Sequence, residues 1–361
     1  MKAPGAMHGS GNAAPSAPAR RRKPRTDWSA YLYVFPATVL LLVFSIWPLF
    51  FGFWISLWKW GIGPQKFVGF ANYAAIFTRD LVQDNGAGTL APGPIGQALL
   101  NTAYYVAGSV AVSIVLAFVL AYLLFRIKTF RNTLQSLFFL PYATTIVASA
   151  LVFIWIFDPQ LGIANAVLKG LGLPAQTWLL DPTPAAARFI SLVTGTPAAE
   201  VTNPYMGPSV AMCVVILFNI WNTLGFSIMI YLSGLASLPA ELLDACALDG
   251  AGERQTIRHI VLPLMKPTTL FLLMYSTVHS FKSFTPIFSL TQGGFSGGNG
   301  TQEAGGPLGT TNVLTTEIFN NFYQRQDQVG YASAVSFLLL ALLITLTLVQ
   351  FRLLGRRSDF D

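Results

Sequence analysis

The chain has 361 residues, of which 53% are hydrophobic and only 10% charged, and its formal net charge is +7. Globular proteins carry roughly 25% charged residues, so this many apolar side chains cannot be kept from water by a soluble fold. An ordinary soluble enzyme, a disordered protein and a nucleic-acid-binding domain are excluded, which leaves a polytopic membrane protein.

Residues 1–27 read as a disordered cytoplasmic tail, rich in Ala, Pro, Gly and Ser. They lack the apolar stretch beside a basic start that a signal peptide needs. Six apolar segments follow, at about 30–57, 98–125, 133–157, 208–237, 267–290 and 329–352. Each supplies the roughly 20 residues that cross a bilayer, although the fifth contains Lys282. None alternates in polarity as a barrel strand would, so all six are expected to be helices. The fold class is all-α: an integral membrane protein of six transmembrane helices over 28–355, with 356–361 as a second short cytoplasmic tail. Aromatic residues make up 13%, including 8 Trp, which suits anchoring at membrane interfaces.

With an even number of spans both termini share one side. That side collects Lys2, Arg20, Arg21, Arg22, Lys23 and Arg25, then Arg126, Lys128 and Arg131, then Arg254, Arg258 and Lys266, then Arg352, Arg356 and Arg357. The opposite side holds only Lys59, Lys66, Arg79, Lys169, Arg188 and Arg325. The excess places both termini in the cytoplasm and accounts for the net charge without nucleic acid. The loops on the outer side, about 58–97, 158–207 and 291–327, are long and rich in Gly and Pro. The tract Gly293-Gly294-Phe295-Ser296-Gly297-Gly298 is no phosphate cradle, because no Gly-Lys pair occurs anywhere in the chain. Cys213 and Cys246 form neither a disulfide framework nor a metal site.

The cytoplasmic connection 238–266 carries the strongest signal. Pro239 and Glu241 suit the start of a helix, and Leu242, Ala245, Cys246 and Asp249 fall on one small, mostly apolar face. Gly250 supplies a left-handed stop. A second short helix is expected over about Glu253–Ile260, ending before Pro263. Such a helix pair could lie on lipid or fill a partner's groove. Glu241, Asp244, Asp249 and Glu253 are acidic, and an anionic inner leaflet attracts basic helices, which favours a protein partner.

This loop resembles the EAA motif of ABC-importer permeases. Asp244-Ala245-Cys246 stands at the E-A-A, Asp249-Gly250-Ala251 matches D-G-A, and Ile260, Leu262 and Pro263 match the tail. The departures are Asp244 for Glu and Cys246 for Ala. Further stretches resemble the carbohydrate-uptake permeases of the maltose and glycerol-3-phosphate type: Phe67-Val-Gly-Phe-Ala-Asn-Tyr73, Asn101-Thr102, Phe138-Phe-Leu-Pro-Tyr142 and Leu290-Thr-Gln-Gly-Gly294. Phe295 stands where Pro is usual. The likeness covers about 30–355, and the C-terminus resembles the first-permease type. The stretches 174–207 and 295–309 look like insertions.

The resemblance implies the type I importer fold and a complex. Its members would be a second homologous permease, two ATP-binding cassette ATPase subunits docked on 238–266, and an extracytoplasmic solute-binding protein, all in a bacterial or archaeal plasma membrane. This chain would be no enzyme and hold no cofactor or metal; ATP and Mg2+ would sit in the ATPases. The implied ATPase-coupling residues are Glu241, Asp244, Ala245, Asp249, Gly250, Ala251, Leu262 and Pro263.

For the solute pathway, Asn219, Asn222, Thr223 and Phe226 share a face of the fourth span, and Ser276, Ser280 and Ser283 a face of the fifth. Amides and hydroxyls bond sugar hydroxyls, and an aromatic ring stacks on a sugar. By resemblance to the maltose-type permease, Asn219, Thr223, Phe226, Ser276, Ser280 and Ser283 align with sugar-contacting positions. The alternative is that these groups bond helix to helix. Lys282 either meets an anionic solute or a gate carboxylate, or snorkels to the outer interface. His279 reads as a packed residue, since no acidic partner lies in any span. An alternative cargo is glycerol-3-phosphate or another polyol phosphate, with Lys282 as the cation. An ion-driven transporter would need intramembrane acids, and an intramembrane enzyme a buried acid–base cluster; the spans offer neither.

Overall fold

A backbone surrounded by lipid closes its own hydrogen bonds, and the apolar segments do so as helices. The computed structural model describes residues 28–84, 90–127, 129–195, 206–291, 304–325 and 327–355. The tails 1–27 and 356–361 and the glycine tract 293–298 lie outside the described residues. The chain divides into two units at Phe50/Phe51. In the first, helix α1 (Trp28–Leu41) passes through one wide π-type turn at Leu42–Ile46 into α2 (Trp47–Ser56), which carries the chain into the second unit.

The second unit opens with two short antiparallel hairpins, an addition to the all-α expectation. Strands β1 (Trp58–Trp60) and β2 (Pro64–Phe67) pair Trp58 with Phe67, and their rings lie 5.3 Å apart. Helix α3 (Ala71–Ala75) follows, then β3 (Val82–Asp84) and β4 (Leu90–Pro92), with Gln83 opposite Ala91.

Helix α4 (Pro94–Arg126) is 33 residues long and starts on a proline, which has no N–H to leave unpaired there. Its buried face repeats Ser109, Ser113, Ala117 and Ala121 every fourth residue. Small side chains let two backbones approach closely where lipid gives no hydrophobic drive between helices. The partner is a 27-residue helix that would be the fourth span, Val210–Ala236, whose Ile228, Tyr231, Leu232 and Leu235 pack on Ala117, Ala121 and Leu124.

The third segment is not the single rod expected over 133–157. It breaks into α5 (Arg131–Ala143) and α6 (Ile146–Ile156), bent by 96°. Helix α5 carries Pro141 in its last turn and stops at Ala143, with Thr144 already extended, which leaves the Pro141 carbonyl outside the helical ladder. That carbonyl is satisfied by Thr144 N (3.3 Å), Thr144 Oγ1 (2.7 Å) and Asn222 Nδ2 (2.9 Å).

Beyond α6 come α7 (Ile163–Gly170) and α8 (Ala185–Thr194), then α9 (Val210–Ala236), capped by Ser209, whose hydroxyl accepts from Met212 N at 3.0 Å. The connection holds α10 (Ala240–Leu248) and α11 (Glu253–Thr256). The second short helix does not stop before Pro263. It widens into a π-type turn at Ile257–Val261 and continues as α12 (Leu262–Leu264). The wide turn puts Pro263 at the start of a new helical segment, where its missing N–H is harmless.

The fifth segment also departs from the single helix over 267–290. It comprises α13 (Lys266–Phe281) and α14 (Thr285–Thr291), separated at Lys282–Phe284. The chain ends in α15 (Leu314–Phe319) and α16 (Val329–Gln350). Asn101, near the start of α4, donates to Gly309 O (3.1 Å) and Asn312 O (2.9 Å). At the far end of α4, Arg126 pairs with Glu253. The hairpins, α7, α8 and α15 thus gather at one end of the bundle and α10–α12 at the other.

Candidate functional site

The fourth and fifth spans bring their polar groups to two adjoining spaces. The larger, about 690 Å³, is walled by Asn219 and Asn222 of α9, by Tyr275 and His279 of α13, and by Lys282 and Ser283 at the break. Among the described residues no Asp or Glu lines it. The smaller holds about 10 Å³ and gathers Asn219, Thr223 and Phe226 with Ser276 and Ser280, closed by Ser109 and Ser113 of α4. Its rim is an aromatic ladder. Phe226 lies 5.2 Å from Tyr142 and 4.8 Å from Tyr275, and Tyr275 stacks on His279 at 6.0 Å.

Hydrogen bonding sorts the predicted residues into two groups. Asn222, 8% exposed, gives its amide to Pro141 O and so braces the bend of the third segment. Thr223 bonds back to Asn219 O at 2.8 Å. Ser280 lies 3.4 Å from Ser109 Oγ, and Ser283 lies 2.9 Å from the Tyr105 hydroxyl. Ser283 stands beyond the end of α13, so it does not continue the Ser276–Ser280 face as the spacing suggested. These four bond the chain to itself. Asn219 and Ser276 differ: neither side chain finds a hydrogen-bond partner among the described residues, and both line the smaller space. Lys282 is exposed at the break and belongs to the wall of the larger cavity.

Sequence reasoning missed Ser113, Tyr142 and Tyr275. Ser113 is 3% exposed, and its buried hydroxyl finds no partner among the described residues. Nearby Ser109 and Ser227 bond to the carbonyl four residues back, the usual refuge of a helical hydroxyl. The Ser109/Ser113 spacing on α4 was the available signal.

At the other end, α10 is closed as the sequence suggested. Gly250 adopts φ +68°, and Ala251 N donates to Cys246 O at 3.0 Å, the six-to-one bond of a Schellman stop. Glu241 lies in the first turn, and Glu241, Asp244, Ala245 and Asp249 are exposed. Ala251 and Pro263 are half-buried, whereas Leu262 is exposed. Leu248, at the tip, is 89% exposed. Beneath them Val261 and Met265 are each 1% exposed, packed in the core with α4 and α9. Among the described residues no three His, Cys, Asp or Glu side chains are grouped to hold a metal ion.

A bent-helix bundle with a largely apolar cavity between two spans, studded with a few amides and hydroxyls, and an exposed, acidic helix pair at one end is the architecture of a membrane-embedded transport subunit. Residues 113–359 match the family model described as binding-protein-dependent transport system inner membrane component, and the chain belongs to that family. It is therefore a multi-pass permease of an ABC importer, a transport subunit and not an enzyme. It is 26% identical over 341 residues to the sn-glycerol-3-phosphate transport system permease protein UgpA of Pectobacterium atrosepticum, covering 93% of this chain and 97% of that one. It is 26% identical over 330 residues to the arabinooligosaccharides transport system permease protein AraP of Bacillus subtilis, covering 90% and 88%. The fold is that of a solved bacterial ABC transporter involved in the import of the acidic polysaccharide alginate, at a TM-score of 0.69 and 21% identity, covering 92% of this chain and 97% of that one.

Proposed function

We propose that this chain is one of two homologous permeases that together pass a carbohydrate across a prokaryotic plasma membrane. An external solute-binding protein delivers the cargo, and two ATPase subunits dock on 238–266 and supply ATP and Mg2+. Both termini and the docking segment face the cytoplasm, as the Lys/Arg excess requires. The observation that carries the substrate class is unbonded Asn219 beside Tyr275 in the wall of the larger cavity, with Ser276 and the rings of Tyr142 and Phe226 in the narrow space that adjoins it. Donors and acceptors without partners beside aromatic faces suit a ring bearing many hydroxyls. Relatives named for glycerol-3-phosphate and for arabinooligosaccharides agree with a polyhydroxylated cargo.

The test is to tag the C-terminus, solubilise membranes gently and identify what co-purifies. The reconstituted complex is then assayed for uptake of labelled carbohydrates with the binding protein and ATP. A second permease and an ATPase, with uptake lost in Asn219→Ala, support the reading. The tagged chain alone in a stable preparation, or ATP-independent uptake, overturns it.

A polyol phosphate is the second reading, favoured by Lys282 and His279 in a cavity wall that has no carboxylate among the described residues. Lys282→Met would then abolish uptake of the phosphate ester; unchanged uptake removes this reading and leaves the neutral carbohydrate.

A further inference from the structure

Two helices at the end of the bundle opposite α10 are built inside out. In α7, Asn165 is 1% exposed and makes four hydrogen bonds inward. Its amide donates to Pro159 O (2.9 Å) and Gln176 O (2.8 Å), and its carbonyl accepts from Gln176 N (3.0 Å) and Trp178 Nε1 (2.8 Å). The opposite face shows Ile163 (66%), Val167 (56%) and Leu171 (70%), spaced every fourth residue. In α8, Ala187 is fully buried and Arg188 reaches inward to Gln176 Oε1 at 2.8 Å and to Asp181 at 3.6 Å. Outward it presents Phe189 and Val193 at 67% and 70% exposure. A helix on a water-facing surface does the reverse, with its apolar stripe to the core and its polar face out.

Both helices are fixed where spans end. Asp158, two residues past α6, accepts from Gln160 N (2.9 Å) and Leu161 N (2.8 Å) and sets the turn into α7. Trp178 packs on Phe157 at 5.2 Å. The first turn of α8 is tied to the start of α9: Ala185 N donates to Pro208 O, and Val210 N to Thr183 O, each at 2.9 Å. The outward stripes therefore sit beside the ends of α6 and α9, whose Trp155 and Leu217 are themselves exposed.

We infer that α7 and α8 lie in the membrane interface, with Ile163, Val167, Phe189 and Val193 among lipid acyl chains and Asn165 and Arg188 turned to protein. The stripes are purely apolar, and a patch of this kind left permanently in water invites aggregation. Burial of the stripe beside the lipid-exposed ends of two spans continues the surface the bilayer already covers. A docked protein is the competing occupant, and it makes a different prediction.

The test uses the full-length chain in its complex, in nanodiscs of phosphatidylethanolamine and phosphatidylglycerol. Cys213 and Cys246 are replaced by Ala, and a single cysteine is placed at Val167, Val193 or, as the control, the exposed Lys169. Each is labelled with an environment-sensitive fluorophore. At 167 and 193 the emission is expected to shift blue and to be quenched by lipids doxylated near the headgroup but not by aqueous iodide, with or without a solute-binding protein. At 169 iodide should quench. Iodide quenching at 167 and 193 overturns the inference. So does protection that arises only when a binding protein is added, because the surface is then a protein-docking face.

Discussion

At Gly225 the fourth span lies directly against the backbone of the bent third segment, and replacing this glycine with Ala should loosen both. A Cβ there would lie 2.8 Å from Phe139 Cα and 2.8 Å from the Phe138 carbonyl carbon, with the Phe138 oxygen nearer still. Carbon atoms pack best at about 3.5–4.0 Å, so α5 must retreat by about 1 Å. The backbone cannot swing aside as a flexible side chain would. The same retreat stretches the Asn222–Pro141 bond, now 2.9 Å, past its useful range, and parts Tyr142 from Phe226. Overpacking costs about 1–3 kcal/mol and the hydrogen bond about 1 kcal/mol, together about 3 kcal/mol. Gly225→Ala should lower the apparent Tm of the detergent-solubilised complex by on the order of 5–10 °C. Asn222→Ala alone should cost about a third of that, and the double variant little more than Gly225→Ala, since a displaced α5 has already broken the bond. An unchanged Tm for Gly225→Ala, or fully additive effects, refutes the close-approach reasoning.

Gly250→Val should prevent co-purification of the ATPase while leaving insertion intact, because a β-branched residue cannot hold φ +68°; normal co-purification removes the docking role of 238–266. Asn219→Ala and Ser276→Ala should reduce uptake at unchanged Tm, whereas Asn222→Ala and Ser283→Ala should lower Tm, because only the latter pair bond the chain to itself. The reverse pattern in paired uptake and melting assays contradicts the sorting. Asp158 has its carboxyl held below the ordinary value by the amides of Leu161 and Gln160. A depressed folded pKa means its support is complete above the unfolded value of about 3.9 and is lost only as pH falls through the lower folded value. Protection of the Leu161 amide from hydrogen exchange should therefore persist at mildly acidic pH; its loss near neutrality contradicts this.

What the sequence made legible follows from which terms are local. A stretch without charge reads as a span because lipid penalises each buried charge independently of the rest of the fold. The stop at Gly250 reads from one residue, since only glycine takes that conformation freely. The bend after Ala143 did not read: a proline inside an apolar run is compatible with a gentle kink, and the 96° turn is braced in part by Asn222, some eighty positions away, which shares the Pro141 carbonyl with Thr144. The break at Lys282 was similarly hidden, because Phe284, Pro286 and Ile287 keep the run apolar across it. Helical spacing put seven polar and aromatic residues on two faces. It could not say which of them would find partners within the chain, and that distinction separates Asn219 and Ser276 from the rest. Ser113 needed the third helix of the site, a tertiary fact.

The two helices that carry the site are also the two that bracket 238–266, the segment proposed to dock the ATPases. Helix α9 leaves the cavity at Phe226 and reaches α10 after Ala236; α13 enters from α12 at Lys266 and reaches Ser276 less than three turns later. Between those points they are joined. The Tyr231 hydroxyl donates to Thr269 Oγ1 at 3.1 Å, and Gly234 lies so close to Met265 and Thr268 that a Cβ would sit 2.7 Å from Met265 Cε. Glu253 adds a tie to Arg126 at the end of α4. These contacts join α9 and α13 between 238–266 and the cavity. Above the joint, α9 bears on α5 at Gly225 and α13 gives way at Lys282, where the helix is already interrupted. Under the docking role proposed for 238–266, any coupling to the cavity passes through this joint, because Asn219 and Ser276 stand on the two helices it ties together.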